Sequence, residues 1–253
     1  MKFFKLKLIL LAAIMLPVIF SCKSRDKSAA ENTISKLSGN PYNLEIIDTI
    51  DDYLKSVSQN DNNTLVDLED YIPNIAIDIK YATSDNFTGQ VVYSQPKAYV
   101  RKPVADSLQK IQTILNEKGL GLKILDAYRP YSATLLFYEI YGDTTFVAAP
   151  WKGSIHNRGV AVDLTIIDLA TKEELLMPTP FDDFSPKASH TYTNLDPIQI
   201  KNRELLLNIM LSNGFTHYEH EWWHYNFKDR NYQLMDLSFD DLEKIKEILK
   251  STK

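Results

Sequence analysis

The amino-acid sequence predicts an α+β domain with a largely antiparallel sheet. Three observations carry that expectation. Residues 159–169, GVAVDLTIIDL, alternate like a strand. Residues 214–227, GFTHYEHEWWHYNF, are dense in aromatic and other strand-favouring side chains. Helical patterns cluster early and do not alternate regularly with the strands, which argues against a parallel α/β sheet.

Taken in order, the chain opens with three lysines in MKFFKLK and an apolar run over residues 8–20. A membrane-spanning helix needs roughly 20 apolar residues, so the run reads as the core of a signal peptide. Just beyond it stands Cys22, the only cysteine. That setting resembles the lipobox of bacterial lipoproteins, where the thiol is acylated after cleavage. The expectation is a leader over residues 1–21, lipidation at Cys22, and an exported, periplasmic protein touching a membrane only through that anchor. A plain signal peptide with an incidental cysteine is the alternative. With one cysteine, no intrachain disulfide is available.

Residues 22–63 are polar and read as a tether, with a possible short helix within 44–57. The domain is expected over residues 64–253. NIAIDIKYAT (74–83) alternates like a strand. Residues 101–119 place Val104, Leu108, Ile111 and Leu115 on one helical stripe, with Gly119 as a stop. LKILDAY (122–128) is a strand running into a helix over 129–142, where Pro130 suits the first turn. A further helix spans 201–214, ending at a glycine, and residues 239–251 form an amphipathic C-terminal helix. The chain has 253 residues and 44% apolar content, enough for one sizeable core. Its net charge of -5 and lack of a basic patch exclude nucleic acid as an expected partner.

The five histidines raise a metal question: His156, His190, His217, His220 and His224. HEWWH (220–224) has the letters of a helical zinc-protease motif. That motif needs a helix, since ligands four apart must share a face. Here the segment follows Asn213 and Gly214 and is rich in strand-forming residues, so the helical reading is unfavourable. The second reading takes His156, Asp163 and His224 as ligands and Glu221 as base. Two imidazoles and a carboxylate make a three-ligand set that leaves a position open, as catalytic zinc uses. Asp163 interrupts an apolar alternation, and a bare carboxylate there is costly unless compensated. Gly159 permits the turn that returns His156 over Asp163. A salt-bridged aspartate and an exposed loop histidine remain the bland alternative on spacing alone.

SIHNRGVAVDLT (154–165) with EWWH (221–224) resembles the zinc D,D-peptidases, whose pattern is S-x-H-x-x-G-x-A-x-D followed by E-x-W-H. KYATSDNFTG (80–89), DAYRP (126–130) and PFDDFS (180–185) narrow the resemblance to D-alanyl-D-alanine dipeptidases of the vancomycin-resistance type. The resemblance implies one Zn2+ per chain on His156, Asp163 and His224. It implies Glu221 as general base and Arg129 as the group that stabilises transition-state charge. Tyr81 and Asp182 match residues beside the substrate ammonium, and Ser154 lies next to the site. One extra residue after Phe181-Asp182 leaves open whether Asp182 or Asp183 faces the dipeptide. The implied reaction is hydrolysis of D-Ala-D-Ala. A carboxypeptidase trimming peptidoglycan stems is the alternative, and a zinc-stabilised binding domain without turnover the more distant one. The sequence is silent on oligomeric state.

Overall fold

The computed structural model describes residues 39–251, so the expected leader and Cys22 lie outside the described residues. In chain order the strands are β1 (Ile46–Ile47), β2 (Leu65–Asp67), β3 (Ala76–Ile77), β4 (Tyr99–Arg101), β5 (Leu120–Asp126), β6 (Ala161–Asp168), β7 (Phe215–Tyr218), β8 (Glu221–Phe227) and β9 (Leu234–Met235). The helices are α1 (Ile50–Gln59), α2 (Leu68–Tyr71), α3 (Lys102–Asn116), α4 (Tyr131–Tyr141), α5 (Pro197–Ser212) and α6 (Phe239–Ser251). None of these helices is long and apolar enough to cross a membrane.

The central sheet has five strands in the order β3-β5-β6-β8-β7. Its β5–β6, β6–β8 and β7–β8 pairs are antiparallel, as expected, while β3 adds a parallel edge beside β5. Two two-stranded sheets, β1–β9 and β2–β4, flank it.

Local chemistry accounts for most boundaries. α3 opens with a proline in its first turn and buries Val104, Leu108, Ile111 and Leu115 completely. α5 begins at Pro197, four residues before the expected start, because Asp196 and Gln199 form a capping box. Pro130 is the residue preceding α4 rather than part of its first turn, and Gly142 ends that helix in the left-handed region at φ 73.

Two expectations need correction. The strand read over 74–83 shrinks to Ala76–Ile77, and Lys80–Ala82 turns as a 3-10 helix that buries Tyr81. The alternation there reflects one apolar face of an irregular segment. The folded body also reaches upstream of Thr64. Tyr53 on α1 is fully buried and its hydroxyl accepts the Leu65 N–H, at 2.6 Å, while β1 pairs with β9.

Gly159 is a position where only glycine fits. It holds φ 71 at the end of the turn carrying His156, and an added Cβ would lie 2.7 Å from Leu65 Cδ2. Gly159→Ala is expected to destabilise the fold by about 1–3 kcal/mol from backbone strain alone. Thermal melts of the variant against the parent check this.

Candidate active site

The sheet register builds the site. Asp163 on β6 stands opposite His224 on β8 and, across the β5–β6 pair, opposite Asp126 at a bulge. Val162 and Leu164, its strand neighbours, are fully buried, as the alternation requires. The turn 154–159 brings His156 over this strand. Asn157 at the centre of the turn accepts the Ser154 N–H at 2.6 Å and donates to the Arg129 carbonyl at 2.9 Å. Ser154 Oγ in turn accepts the His156 N–H at 3.2 Å. Ser154 thus holds the turn that carries His156 and also lines the cavity.

His156, Asp163 and His224 offer ligand atoms within 4.8 Å of one another, the one such group among the described residues. Hydrogen bonds dictate which nitrogens point inward. His156 Nδ1 donates to the Ala127 carbonyl at 2.7 Å, leaving Nε2 bare. His224 Nε2 donates to Asn226 Oδ1 at 3.1 Å, leaving Nδ1 bare. These two bare nitrogens lie 3.2 Å apart, and Asp163 Oδ1 lies 2.9 Å from His224 Nδ1 and 3.5 Å from His156 Nε2. Three lone pairs converge with no hydrogen between them. A cation removes that repulsion, so the donor set fits a divalent metal. In metal-free protein burial pushes the Asp163 carboxyl up, and His156 and His224 in their protonated forms, donating to it, outweigh that push and hold it below the usual range.

Glu221 opens β8, almost fully buried, with Oε2 3.9 Å from His224 Nδ1. Burial first, then Asp163 and Asp182, push its carboxyl well above the ordinary range. Arg129 reaches the same cavity. Its Nε and Nη2 donate to Asp126 Oδ2 at 3.1 and 2.7 Å, and the guanidinium sits over the Phe137 ring at 4.6 Å. Nη2 is 3.9 Å from Asp163 Oδ2, so the arginine stands beside the candidate metal without being consumed by it.

At the other wall, the Tyr81 hydroxyl donates to Asp182 Oδ1 at 3.1 Å. Asp182 adopts φ 61 and lines the cavity, whereas Asp183 turns away to accept the Ser185 N–H at 3.0 Å. Of the two aspartates, Asp182 is the one that faces the site. Its carboxyl is pushed up to about 8, by burial foremost and then by Asp163. The protonated form is therefore favoured by folding. That contribution is complete below the ordinary pKa of 3.8 and is lost as pH rises through about 8. In metal-free protein, Asp182→Asn is expected to gain stability relative to the parent between those limits. Melts in chelator across that range check the sign.

Eight residues expected in a catalytic, ligand or substrate role line this cavity: Tyr81, Arg129, Ser154, His156, Asp163, Asp182, Glu221 and His224. His220 sits in the β7–β8 turn and His190 packs against His217, with ring centroids 4.7 Å apart, so none of the three joins the ligand group. Trp222 and Trp223 are packing residues, each 1% exposed, and Trp222 Nε1 donates to Thr179 Oγ1 at 3.0 Å. Two further residues orient groups of the candidate site and carry weaker sequence signals. Asp126 also accepts the Tyr93 hydroxyl at 3.0 Å and fixes Arg129; its signal was a carboxylate three residues before an arginine at a strand end. Asn226 orients His224; its signal was a hydrogen-bonding side chain two residues along the same strand face.

The family profile described as D-ala-D-ala dipeptidase (Peptidase_M15) matches residues 61–242. The chain belongs to the D-ala-D-ala dipeptidase family. Within the family, the D-alanyl-D-alanine dipeptidase of Escherichia coli (strain K12) is 36% identical over 165 residues, 65% of this chain and 85% of the relative. The D-alanyl-D-alanine dipeptidase of Enterococcus faecalis (strain ATCC 700802 / V583) is 33% identical over 190 residues, 67% of this chain and 94% of the relative. Among solved structures, VanYB in complex with D-Alanine-D-Alanine matches at 15% identity and TM-score 0.36, over 64% of this chain and 88% of that one. Strand β1 and all of α1 precede the family span, and most of α6 follows it.

Proposed function

We infer that this protein is a zinc-dependent dipeptidase that hydrolyses D-Ala-D-Ala. The observation that carries the reading is the convergence of His156 Nε2, Asp163 Oδ1 and His224 Nδ1, with no hydrogen between them, beside a buried Glu221. The family membership and the activity named for both bacterial relatives support it.

His156, Asp163 and His224 would hold one Zn2+. When bound, the ion supplies a Lewis acid that polarises the scissile carbonyl and acidifies water. The remaining work belongs to the chain. Glu221 accepts the proton of the attacking water and returns it to the leaving amine. Arg129, pre-set by Asp126, presents positive charge where the oxyanion develops, and needs no reorganisation to do so. Asp182 and the Tyr81 hydroxyl take the substrate ammonium. That ammonium also draws the Asp182 carboxyl into its ionised form. Phe137 and Trp223 wall the cavity and keep bulk water from the charged groups.

The leader pattern and Cys22 support export and lipid anchoring in the periplasm, with the catalytic body following the tether. Metal analysis of the purified protein, paired with assays on D-Ala-D-Ala, L-Ala-L-Ala and a stem pentapeptide, tests the reading. The expected result is one zinc per chain and cleavage of D-Ala-D-Ala only. Preferred cleavage of the pentapeptide replaces the dipeptidase with a carboxypeptidase. A metal-free protein that cleaves nothing removes the enzymatic reading.

A further inference from the structure

We propose that Arg203 and Ser189 are positioning residues for the general base: they clamp the β7–β8 turn from which Glu221 projects and so set its aim at the attacking water. The role of the base rests on the dipeptidase reading. The clamp itself rests on contacts outside the catalytic cavity.

Glu221 is held differently from the other charged groups of the site. Arg129 is fixed by Asp126, and Asp182 by Tyr81. The Glu221 carboxylate accepts no hydrogen bond from any described residue, and its contact with His224 Nδ1 is long, at 3.9 Å. Its direction is therefore set by its backbone. Glu221 is the first residue of β8, directly after the turn at Glu219 and His220. The sheet anchors that turn weakly. β7 is an edge strand paired on one side only, and its register with β8 shifts between His217 and Tyr218. A base must lie within about 2.6–3.2 Å of the proton it takes, so a loose turn costs rate directly.

Contacts outside the cavity tie the turn down. The His190 N–H donates to the Glu219 carbonyl at 2.9 Å. Ser189 Oγ donates to Glu219 Oε1 at 3.0 Å, and His217 Nε2 lies 3.6 Å from Oε2. Helix α5 holds this segment in turn: Arg203 Nη1 donates to the Ser189 carbonyl at 2.9 Å and to the Tyr192 carbonyl at 2.8 Å. Arg203 is 4% exposed and has no carboxylate within ion-pair distance among the described residues. Burying a cation is costly, and its hydrogen bonds go into fixing the loop that grips the turn before Glu221. Arg203, Ser189 and Glu219 do not line the catalytic cavity, so they act on the base through the backbone. On the cavity side the turn has a further hold, from the Tyr218 hydroxyl to the Thr145 carbonyl at 2.7 Å.

The test measures kcat and KM on D-Ala-D-Ala, and zinc affinity by chelator competition, for the parent, S189A, E219A, S189A/E219A, R203A and R203K. S189A and E219A both break the Ser189–Glu219 bond at an exposed turn. Each should lower kcat by about 3- to 10-fold, the scale of one hydrogen bond. The double variant should fall no further than E219A, because the two residues act through one contact. R203A frees the whole loop and should lower kcat by about 10- to 100-fold, as a misplacement on the order of 1 Å does, with R203K recovering part. KM should stay within about twofold of the parent, the mark of a loss confined to the transition state. Zinc affinity should match the parent, since His224 is held separately by its pairing with β6 and by Asn226. Parent-like kcat in both S189A and E219A overturns the proposal, and so does a loss shared with KM or zinc affinity. Should R203A fail to fold, S189A and E219A decide. A parent that prefers the stem pentapeptide overturns the dipeptidase reading alone, and the same ratios are then read on that substrate. A parent that cleaves nothing overturns both.

Discussion

Glu221→Ala is expected to keep the metal and lose nearly all hydrolysis. The donor atoms that converge belong to His156, Asp163 and His224, and Glu221 is not among them. Removing its carboxylate leaves the three lone pairs where they are. It also removes one of the three acids that line the cavity, easing repulsion with Asp163 and Asp182. Zinc content should therefore match the parent, and stability should hold or rise. The proton path, in contrast, has no replacement. No other carboxylate or free imidazole in the cavity takes its place: Asp163 belongs to the candidate ligand group, and Asp182 is bound to Tyr81. A positioned acid–base group contributes about 100- to 10,000-fold in rate, so kcat should fall by a factor in that range. Metal analysis and kcat on the same preparation decide the matter. Retained turnover would remove Glu221 from its role, whereas loss of zinc would make it a ligand.

His156→Ala is expected to cost both metal and activity, and Asn226→Ala to cost metal affinity by a smaller, separable amount. His156 supplies one of three donor atoms, so its loss leaves Asp163 and His224 as a two-point site. Asn226 supplies no donor; it fixes the His224 tautomer through Nε2. Changes to such orienting partners typically weaken metal binding by about 10- to 100-fold. Zinc titration with a competing chelator orders the variants: parent tightest, Asn226→Ala next, His156→Ala without measurable binding. Melts supply a readout independent of turnover. Zinc that binds only the folded state raises the parent Tm by mass action, and the rise should vanish in His156→Ala. Equal zinc affinity in parent and His156→Ala would dissolve the candidate centre.

What the sequence by itself determined was local in character. The apolar alternation around Asp163 marked a buried strand carrying one expensive carboxylate, and that strand is β6. The aromatic density of residues 214–227 excluded a helical H-E-x-x-H site, and β7 and β8 meet in a turn at His220. Side-chain period and backbone preference are short-range properties, so they can be read along the chain. The tertiary structure decided which groups touch. Arg129 is aimed by Asp126, and His224 shares its edge of the cavity with Asn226 and Arg230. Asp182, not Asp183, turns inward, through a positive φ that spacing does not encode. β6 and β8 lie some sixty residues apart in the chain, and their register sets Asp163 against His224. A shift of one residue in that register would send these side chains to opposite faces, so the meeting of the three donor atoms is a property of strand pairing and of the turn at Gly159, which no local pattern contains.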